Sequence, residues 1–558
     1  MELRPLTPEL TVSPQIRMDD IPALAQAGFR AIVCNRPDGE AADQPTFDDI
    51  ARAAREAGLE AHFLPVESGK VSDDSAVQFG ALMATLPRPV LAYCRTGMRS
   101  TTLWALSQAG QRPLHEIISA SAGAGYDLKG VVRRIVNGGK TPVEVADASH
   151  AVVIVGAGAA GIAVAASLRA RAPDLDVALV DPATIHYYQP GWTLVGSGVF
   201  QPPATGRTMA SVIPPGVTWI QAAVAAFEPE RNAIVLDGCR VVRYEQLVVC
   251  PGLKLDWGAI EGLTDTLGRH GVTSNYRYDL APYTWQMVQA LQRKGGGKAV
   301  FTQPPMPIKC AGAPQKAMYL SADAWRRAGL LANIDIQFCN AGAVLFGVAD
   351  YVPALMEYVE RYGIHLNFGE TLTAVDGPRQ TATFQRKGAD GQPETVQRTF
   401  DMLHVVPPQK APDFIRVSPL ADASGWVDID PTSLTHRQFP NIFALGDAGS
   451  SPNAKTAAAA RKQAPVVAHN VLALRGQIAG SAQYDGYGSC PLTVEQGRIV
   501  LAEFTYGGKV APSFPQWLIN GTRPSRLAWW LKERLMPQLY WQAMLKGREW
   551  LAQPAMKD

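Results

Sequence analysis

Two stretches of this chain combine residue types that do chemistry. The first is residues 89–100, Pro-Val-Leu-Ala-Tyr-Cys94-Arg95-Thr96-Gly97-Met98-Arg99-Ser100. An apolar strand delivers Cys94 to its end, and a helix follows. A cysteine there, under a loop cupped over a helix N-terminus, is an anion cradle with a low-pKa nucleophile. Arg99 adds a planar fork for oxyanions. The second stretch is Gly156-Ala157-Gly158-Ala159-Ala160-Gly161, between the apolar strand Ala151–Val155 and an apolar helix. The first glycine permits a tight turn. The second lets a pyrophosphate approach the backbone, and the third lets helix pack on strand. Asp181 ends the next strand, Val177–Val180, 20 residues after Gly161, where an acid accepts a ribose hydroxyl.

A further anchor lies far downstream. Residues 440–447 form an apolar strand ending in Gly446-Asp447. Flavoproteins with two dinucleotide-binding folds place such a pair beside the ribityl chain and pyrophosphate, so the expected cofactor is FAD. NAD(P)H-using relatives carry a second glycine fingerprint near mid-chain. Here the matching strand, Lys298–Thr302, runs into Gln-Pro-Pro-Met-Pro-Ile-Lys-Cys, and the glycines at 295–297 precede it. Prolines offer no N–H to a pyrophosphate. No nicotinamide site is expected.

The elements around these motifs read as α/β. Strands are expected at Ala31–Cys34, Ala61–Val66 and Pro89–Cys94, with helices at Phe47–Gly58, Val77–Leu86 and Ser100–Ala109. Residues 137–149 lack periodicity and contain Gly-Gly and Pro, which marks a linker. The resulting division is 1–136, a cysteine-loop domain; 137–149, a linker; 150–486, an FAD-type oxidoreductase of tandem dinucleotide folds; and 487–558, a C-terminal membrane- or quinone-facing region.

Composition sets outer bounds. The 558 residues are 47% hydrophobic and 18% charged with net charge +2, a globular balance with no global field for nucleic acid. Seven cysteines are scattered with no CxxC, so no metal site or disulfide framework is expected; they read as reduced, intracellular and individually placed. The N-terminus has no secretory pattern. Residues 151–168 carry no charge, but three glycines break them, so they are not a membrane span.

Across about residues 150–550 the chain resembles mitochondrial-like sulfide:quinone oxidoreductases. The blocks are YYQPGWTLVGSG (187–198), PIKCAGAPQKAMYLS (307–321), MLHVVPP (402–408), KTAAAA (455–460), YDGYGSCPL (484–492) and LMPQLYW (535–541). The resemblance implies FAD, oxidation of sulfide or a persulfide at a cysteine, and electron delivery to a membrane quinone. It assigns Cys310 as a redox cysteine. Cys310 also stands beside Lys309 and before a helix start at Ala313-Pro314, a setting that favours thiolate. The partner cysteine is expected directly after Gly446-Asp447, where this chain has Ala448. Cys250 and Cys490 read as core or structural residues in preference to replacements for it. Three readings stay open: Cys310 working alone with an external thiol or the N-terminal domain as sulfur acceptor, a persulfide or thiol substrate, or loss of turnover. The first is favoured.

Residues 1–112 resemble the phosphatase-like domain of beta-lactamase-hydrolase-like proteins, a relative of tyrosine phosphatases and rhodaneses. Four residues separate Cys94 from Arg99, the tighter spacing of sulfurtransferases. Sulfane-sulfur transfer by Cys94 is therefore favoured over phosphate hydrolysis, for which Asp73 or Asp74 is the candidate acid. Residues 517–550 hold five tryptophans, and from 521 onward seven Lys/Arg face three Asp/Glu. That pattern suits amphipathic helices lying on a membrane surface. The implied location is cytoplasmic, peripheral on the inner face of the cell membrane. Competing readings are a phosphatase-like hydrolase fused to an NAD(P)H/FAD disulfide-type oxidoreductase, and a sulfide or persulfide sensor without turnover.

Overall fold

The computed structural model describes residues 1–41, 43–142, 148–388 and 390–557. They form two compact units. The first is Met1–Ser149 with Ala223–Arg243 and Val417–Pro419; the second is His150–Ala222, Tyr244–Arg416 and Leu420–Asp558. Within the expected linker, residues 143–147 lie outside the described residues, and Ala148 already begins a strand.

The first unit is built on a five-stranded sheet in the order Arg4–Thr7, Leu10–Ser13, Val90–Tyr93, Ala31–Cys34, Glu60–Phe63. Its first pair is antiparallel and the rest are parallel. Both faces are covered, as the continuous apolar strands require. Val90 and Ala92 join Phe79, Leu103 and Trp104, whereas Leu91 and Tyr93 join Leu24 and Ile50. The helix expected from Val77 begins earlier, at Asp73, because the Ser72 hydroxyl caps it by accepting the Ser75 N–H at 3.1 Å.

In the second unit the strands Val217–Ile220, Val177–Val180 and Ala148–Val155 run parallel and continue to the strand Val241–Val249, which also pairs in parallel with Ile442–Ala444. A second parallel sheet has the order Val272–Thr273, Met402–His404, Gly297–Gln303, Ile334–Asn340, His365–Phe368. The two sheets have the parallel pairing of dinucleotide-binding folds.

Residues 487–558 belong to the second unit instead of standing apart. The hairpin Gly488–Glu495/Arg498–Phe504 inserts Cys490, Leu492, Val494, Val500 and Ala502 into the core around Met318, Trp325 and Phe338. Beyond it a helical run from Arg526 to Lys546 contains π turns at Leu531–Leu535 and Leu539–Ala543. Among the described residues, no helix is long and apolar enough to cross a membrane.

Candidate active site

In the second unit the glycine loop has the close packing its spacing demands. Gly156 has φ +102°, and a Cβ there would stand 2.6 Å from Pro251 Cα. A Cβ on Gly161 would stand 1.8 Å from the Gly156 carbonyl oxygen, so the third glycine is what lets the helix Ala159–Arg171 start against the turn. Over Gly158 nothing lies within 4 Å. The helix N-terminus therefore faces open space, with room and donors for a pyrophosphate. Asp181 accepts the Ala157 N–H at 2.7 Å and the Ala183 N–H at 2.8 Å, which fixes its carboxylate at the loop. Gly446 has φ +68°, and its missing Cβ would lie 3.3 Å from Ala160, so the downstream Gly-Asp pair meets the first turn of the fingerprint helix. Half-buried Asp447 follows, its carboxyl pushed up by desolvation. Lys455 donates to the carbonyls of Asp447 at 2.8 Å and Gly449 at 3.0 Å, and burial lowers its pKa to about 8. These residues fit an FAD: a phosphate cradle, a ribose acid, and a second anchor beside both.

Cys250, which follows the strand of the first sheet, is a packing residue. It is buried behind the glycine loop, its S–H directed at the Gly156 carbonyl at 3.6 Å, and burial pushes its thiol far up.

Cys310 is not alone. Its Sγ lies 3.7 Å from that of Cys490, and both are free thiols. The reading of Cys490 as an ordinary core residue is therefore corrected, and so is that of the cysteines as individually placed. Cys490 is core by burial, but it faces the reactive loop. The strand carrying it approaches because residue 312 is glycine: a Cβ there would stand 2.1 Å from Leu492 Cδ2. Cys310 itself has φ +81°, a left-handed conformation that costs a non-glycine residue about 1–3 kcal/mol and marks a constrained site. Ala448, buried in the turn Gly446–Ala448, plays no part in the pair.

The charge around the thiols is also rearranged from the sequence reading. Lys309, the neighbour in sequence, sends its Nζ to Gln189 Oε1 at 2.8 Å. The ammonium that reaches Cys310 is that of Lys316, one turn into the helix Ala313–Arg327, at 3.3 Å from Sγ. Lys316 is 4% exposed, and Lys532 of the C-terminal run is 5% exposed, donating to Thr493 Oγ1 at 3.1 Å beside Cys490. The Cys490 S–H donated to Cys310 holds the Cys310 thiol well below its usual range against the cost of burial, with Lys316 and Lys532 adding to the effect. The same hydrogen bond, with burial, drives Cys490 well above. Each thiol thus biases the ionisation of the other. Burial, then repulsion from Lys316, pushes Lys532 well down.

The dithiol sits at the second anchor. Lys309 and Lys455 form a parallel backbone bridge, which joins the Cys310 loop to the segment after Gly446-Asp447. In this wall the Lys309 N–H donates to Gln409 Oε1 at 2.7 Å and the Tyr276 hydroxyl donates to the Lys309 carbonyl at 3.1 Å. Gln409 Nε2 and Trp192 Nε1 are buried with no protein partner, donors left for a bound group. Sequence reading missed Cys490, Lys316 and Lys532. The signal available was the placement of Cys490 in the block YDGYGSCPL and of Lys316 in KCAGAPQK.

In the first unit Cys94 ends the strand Val90–Tyr93, is 1% exposed, and accepts the Gly97 N–H at 3.1 Å. Gly97 has φ +91°, and a Cβ there would collide with the Tyr126 hydroxyl at 1.8 Å, so glycine is required for the loop. Arg99 lies in the helix Met98–Ser107, but its fork is engaged: Nη1 and Nη2 donate to Glu40 Oε1 and Oε2 at 2.7 and 2.8 Å. The candidate acid Asp73 is committed elsewhere. It accepts from Arg134 at 2.7 Å and from the Thr141 N–H at 2.9 Å, and these bonds, Thr141 first, keep its pKa low. Asp74 is exposed.

The C-terminal run is divided between protein and solvent. Trp529 and Trp541 are buried, whereas Trp517, Trp530 and Trp550 are exposed, at 84%, 51% and 59%. His186 ties the run down through the Tyr540 hydroxyl at 2.6 Å.

Comparison with known proteins matches two parts of the chain to different families. Residues 2–111 match the family described as beta-lactamase hydrolase-like protein, phosphatase-like domain, and residues 150–290 match pyridine nucleotide-disulphide oxidoreductase. The mitochondrial sulfide:quinone oxidoreductase of Dictyostelium discoideum is 39% identical over 399 residues, 71% of this chain and 86% of that one. The beta-lactamase hydrolase-like protein of Xylella fastidiosa is 33% identical over 130 residues, 23% of this chain and 30% of that one. Among solved structures, the sulfide:quinone oxidoreductase of Aquifex aeolicus superposes with a TM-score of 0.59 at 17% identity, covering 72% of this chain and 92% of that one, a likeness of fold.

Proposed function

Since the chain belongs to the sulfide:quinone oxidoreductase family, we propose that it oxidises sulfide at a Cys310–Cys490 pair and sends the electrons to a membrane quinone. The observation that carries this reading is the 3.7 Å approach of the two sulfurs beside Lys316. In the oxidised pair HS⁻ attacks the disulfide; one sulfur becomes a persulfide and the other leaves as a thiolate. The lysines favour the anion at each stage, which speeds both attack and departure. A second thiolate takes the outer sulfur, and closing the disulfide again releases two electrons. In sum, HS⁻ and an acceptor thiolate give one persulfide, one proton and two electrons. The two-electron chemistry that links this pair to the quinone would be supplied by a bound FAD. Gly156, Gly158, Gly161, Asp181, Gly446 and Asp447 would hold it. The contact distance of the partner sulfur supports this dithiol reading over that of a single working cysteine.

The acceptor is a small thiol or Cys94, whose loop would then carry sulfane sulfur. Tethering supplies a high effective concentration of that thiol. Phosphate hydrolysis is disfavoured, since the Asp73 carboxyl is held as a base by Arg134 and Thr141. The exposed Trp517, Trp530 and Trp550 would rest in a headgroup layer and give peripheral attachment on the cytoplasmic face, near the quinone.

The test is anaerobic sulfide addition to the flavin-loaded protein and its Cys490→Ser variant. Wild type should bleach, and the variant should keep bound flavin yet bleach at least about 100-fold more slowly. Equal rates would remove Cys490 from the chemistry.

A further inference from the structure

Cys310 holds a left-handed backbone, φ +81°, that a residue with a Cβ does not adopt unaided. Rotation about its N–Cα bond is set by the two peptide planes on either side, and both are pinned. The Cys310 carbonyl accepts the Ala313 N–H at 2.6 Å, a bond closed within the loop. The preceding plane is held from another element: the Lys309 carbonyl accepts the Tyr276 hydroxyl at 3.1 Å. Lys309 also bridges Lys455, which aligns the segment as a whole, whereas the hydroxyl bonds the one plane that sets φ at Cys310.

Tyr276 is itself fixed. It follows the strand Val272–Thr273, and its N–H donates to Ser274 Oγ at 3.1 Å. The Asn275 N–H donates to His404 Nε2 at 2.9 Å, at the end of the neighbouring strand Met402–His404. The Tyr276 ring lies 5.7 Å from Lys309 Nζ, so it backs the residue whose carbonyl it binds. Tyr276 is 5% exposed. Burial, then the nearby Cys310, Cys490 and Asp447, pushes its hydroxyl well up, which keeps it a proton donor. Deleting a buried donor leaves its acceptor unpaired, a penalty of the same order as the strain of a left-handed non-glycine residue. Losing this one bond is enough to let the loop relax.

We propose that Tyr276 is a positioning residue for the sulfur chemistry: by holding the Lys309 carbonyl it keeps Cys310 turned toward Cys490. This rests on the dithiol reading. Tyr276 acts through the Lys309–Cys310 peptide and takes no part in sulfur transfer itself. Without its hydroxyl, Cys310 returns to negative φ, its Cβ swings off the hairpin that carries Cys490, and the effective concentration of one thiol at the other falls.

The experiment equilibrates the flavin-loaded, full-length protein anaerobically with mixtures of reduced and oxidised glutathione. The Cys310–Cys490 disulfide is counted by mass mapping. Two protein thiols and one oxidised glutathione give the protein disulfide and two reduced glutathiones. Tyr276→Phe, which deletes one hydroxyl, should lower that equilibrium constant about tenfold, making the pair about 30 mV easier to reduce. Tyr278→Phe makes the same deletion on a ring packed 4.7 Å from that of Tyr187, and should match wild type. A constant unchanged or raised in Tyr276→Phe would overturn the proposal. An equal fall in Tyr278→Phe would assign the effect to general loosening and overturn it too. Should Tyr276→Phe fail to fold, Ser274→Ala, which frees the Tyr276 turn, should shift the constant the same way, and a wild-type value there would overturn the proposal. A wild-type pair that closes at no glutathione ratio would reject the dithiol reading together with this inference. Closure with equal constants in wild type and Tyr276→Phe would reject this inference alone.

Discussion

Replacing Lys316 with methionine tests the electrostatics of the dithiol while keeping the length of the buried stem. The Lys316 Nζ lies 3.3 Å from Cys310 Sγ. At an effective dielectric of about 20, unit charges at that distance attract by about 5 kcal/mol. That figure is the ceiling. Lys532, whose charge Lys316 opposes, gains weight when Lys316 is gone, and Cys490 still donates its S–H to the thiolate. About 3 kcal/mol should remain, an upward shift of about 2 pKa units for the coupled pair. The sign is fixed: removing a cation disfavours the anion. The assay is the pH dependence of Cys310 alkylation in the reduced protein, with the peptide identified by mass. The midpoint should rise by about 2 units, and sulfide-driven flavin reduction near neutral pH should fall about 100-fold as the thiolate fraction falls. A midpoint within about half a unit of wild type would refute the reasoning, because no buried ammonium at hydrogen-bond distance can be that silent.

Other perturbations separate fold from binding. Gly158→Ala adds a methyl into open space, so the flavin-free protein should melt unchanged while FAD affinity falls about tenfold or more, by flavin fluorescence titration. Replacing Trp517, Trp530 and Trp550 together with glutamine should abolish co-sedimentation with anionic vesicles at constant melting temperature; deleting residues 513–558 is the poorer test, because Trp529, Lys532 and Trp541 are part of the packed protein. Lys455, with a folded pKa of about 8 against about 10.4 unfolded, binds its proton more tightly in the unfolded chain. Its contribution to the stability of the flavin-free protein should therefore rise by about 2 kcal/mol between pH 8 and 10, and Lys455→Met should flatten that slope in urea unfolding curves.

Local pattern was enough for much of this protein. The strand–Gly-x-Gly-x-x-Gly–helix order, the acid at 181 and the cysteine ending an apolar strand at 94 are contiguous features, because tight turns and helix starts are decided by neighbours in the chain. Family blocks added Cys310 and the expectation of a quinone as electron acceptor. What the chain order concealed were meetings between distant residues. Cys490 lies 180 positions from Cys310 and reaches it only because a hairpin packs over Gly312. Lys316, not the adjacent Lys309, touches the thiol, since a helical turn decides which side chain points back. Lys532 comes from a run whose tryptophans and basic residues read as surface, yet packing turns this lysine inward. Glu40 meets Arg99 across 59 residues, as charges that pair only when a sheet brings its loops together. Periodicity and motif spacing act along the backbone; charge pairing and sulfur contact act through space, and only the folded chain sets those distances.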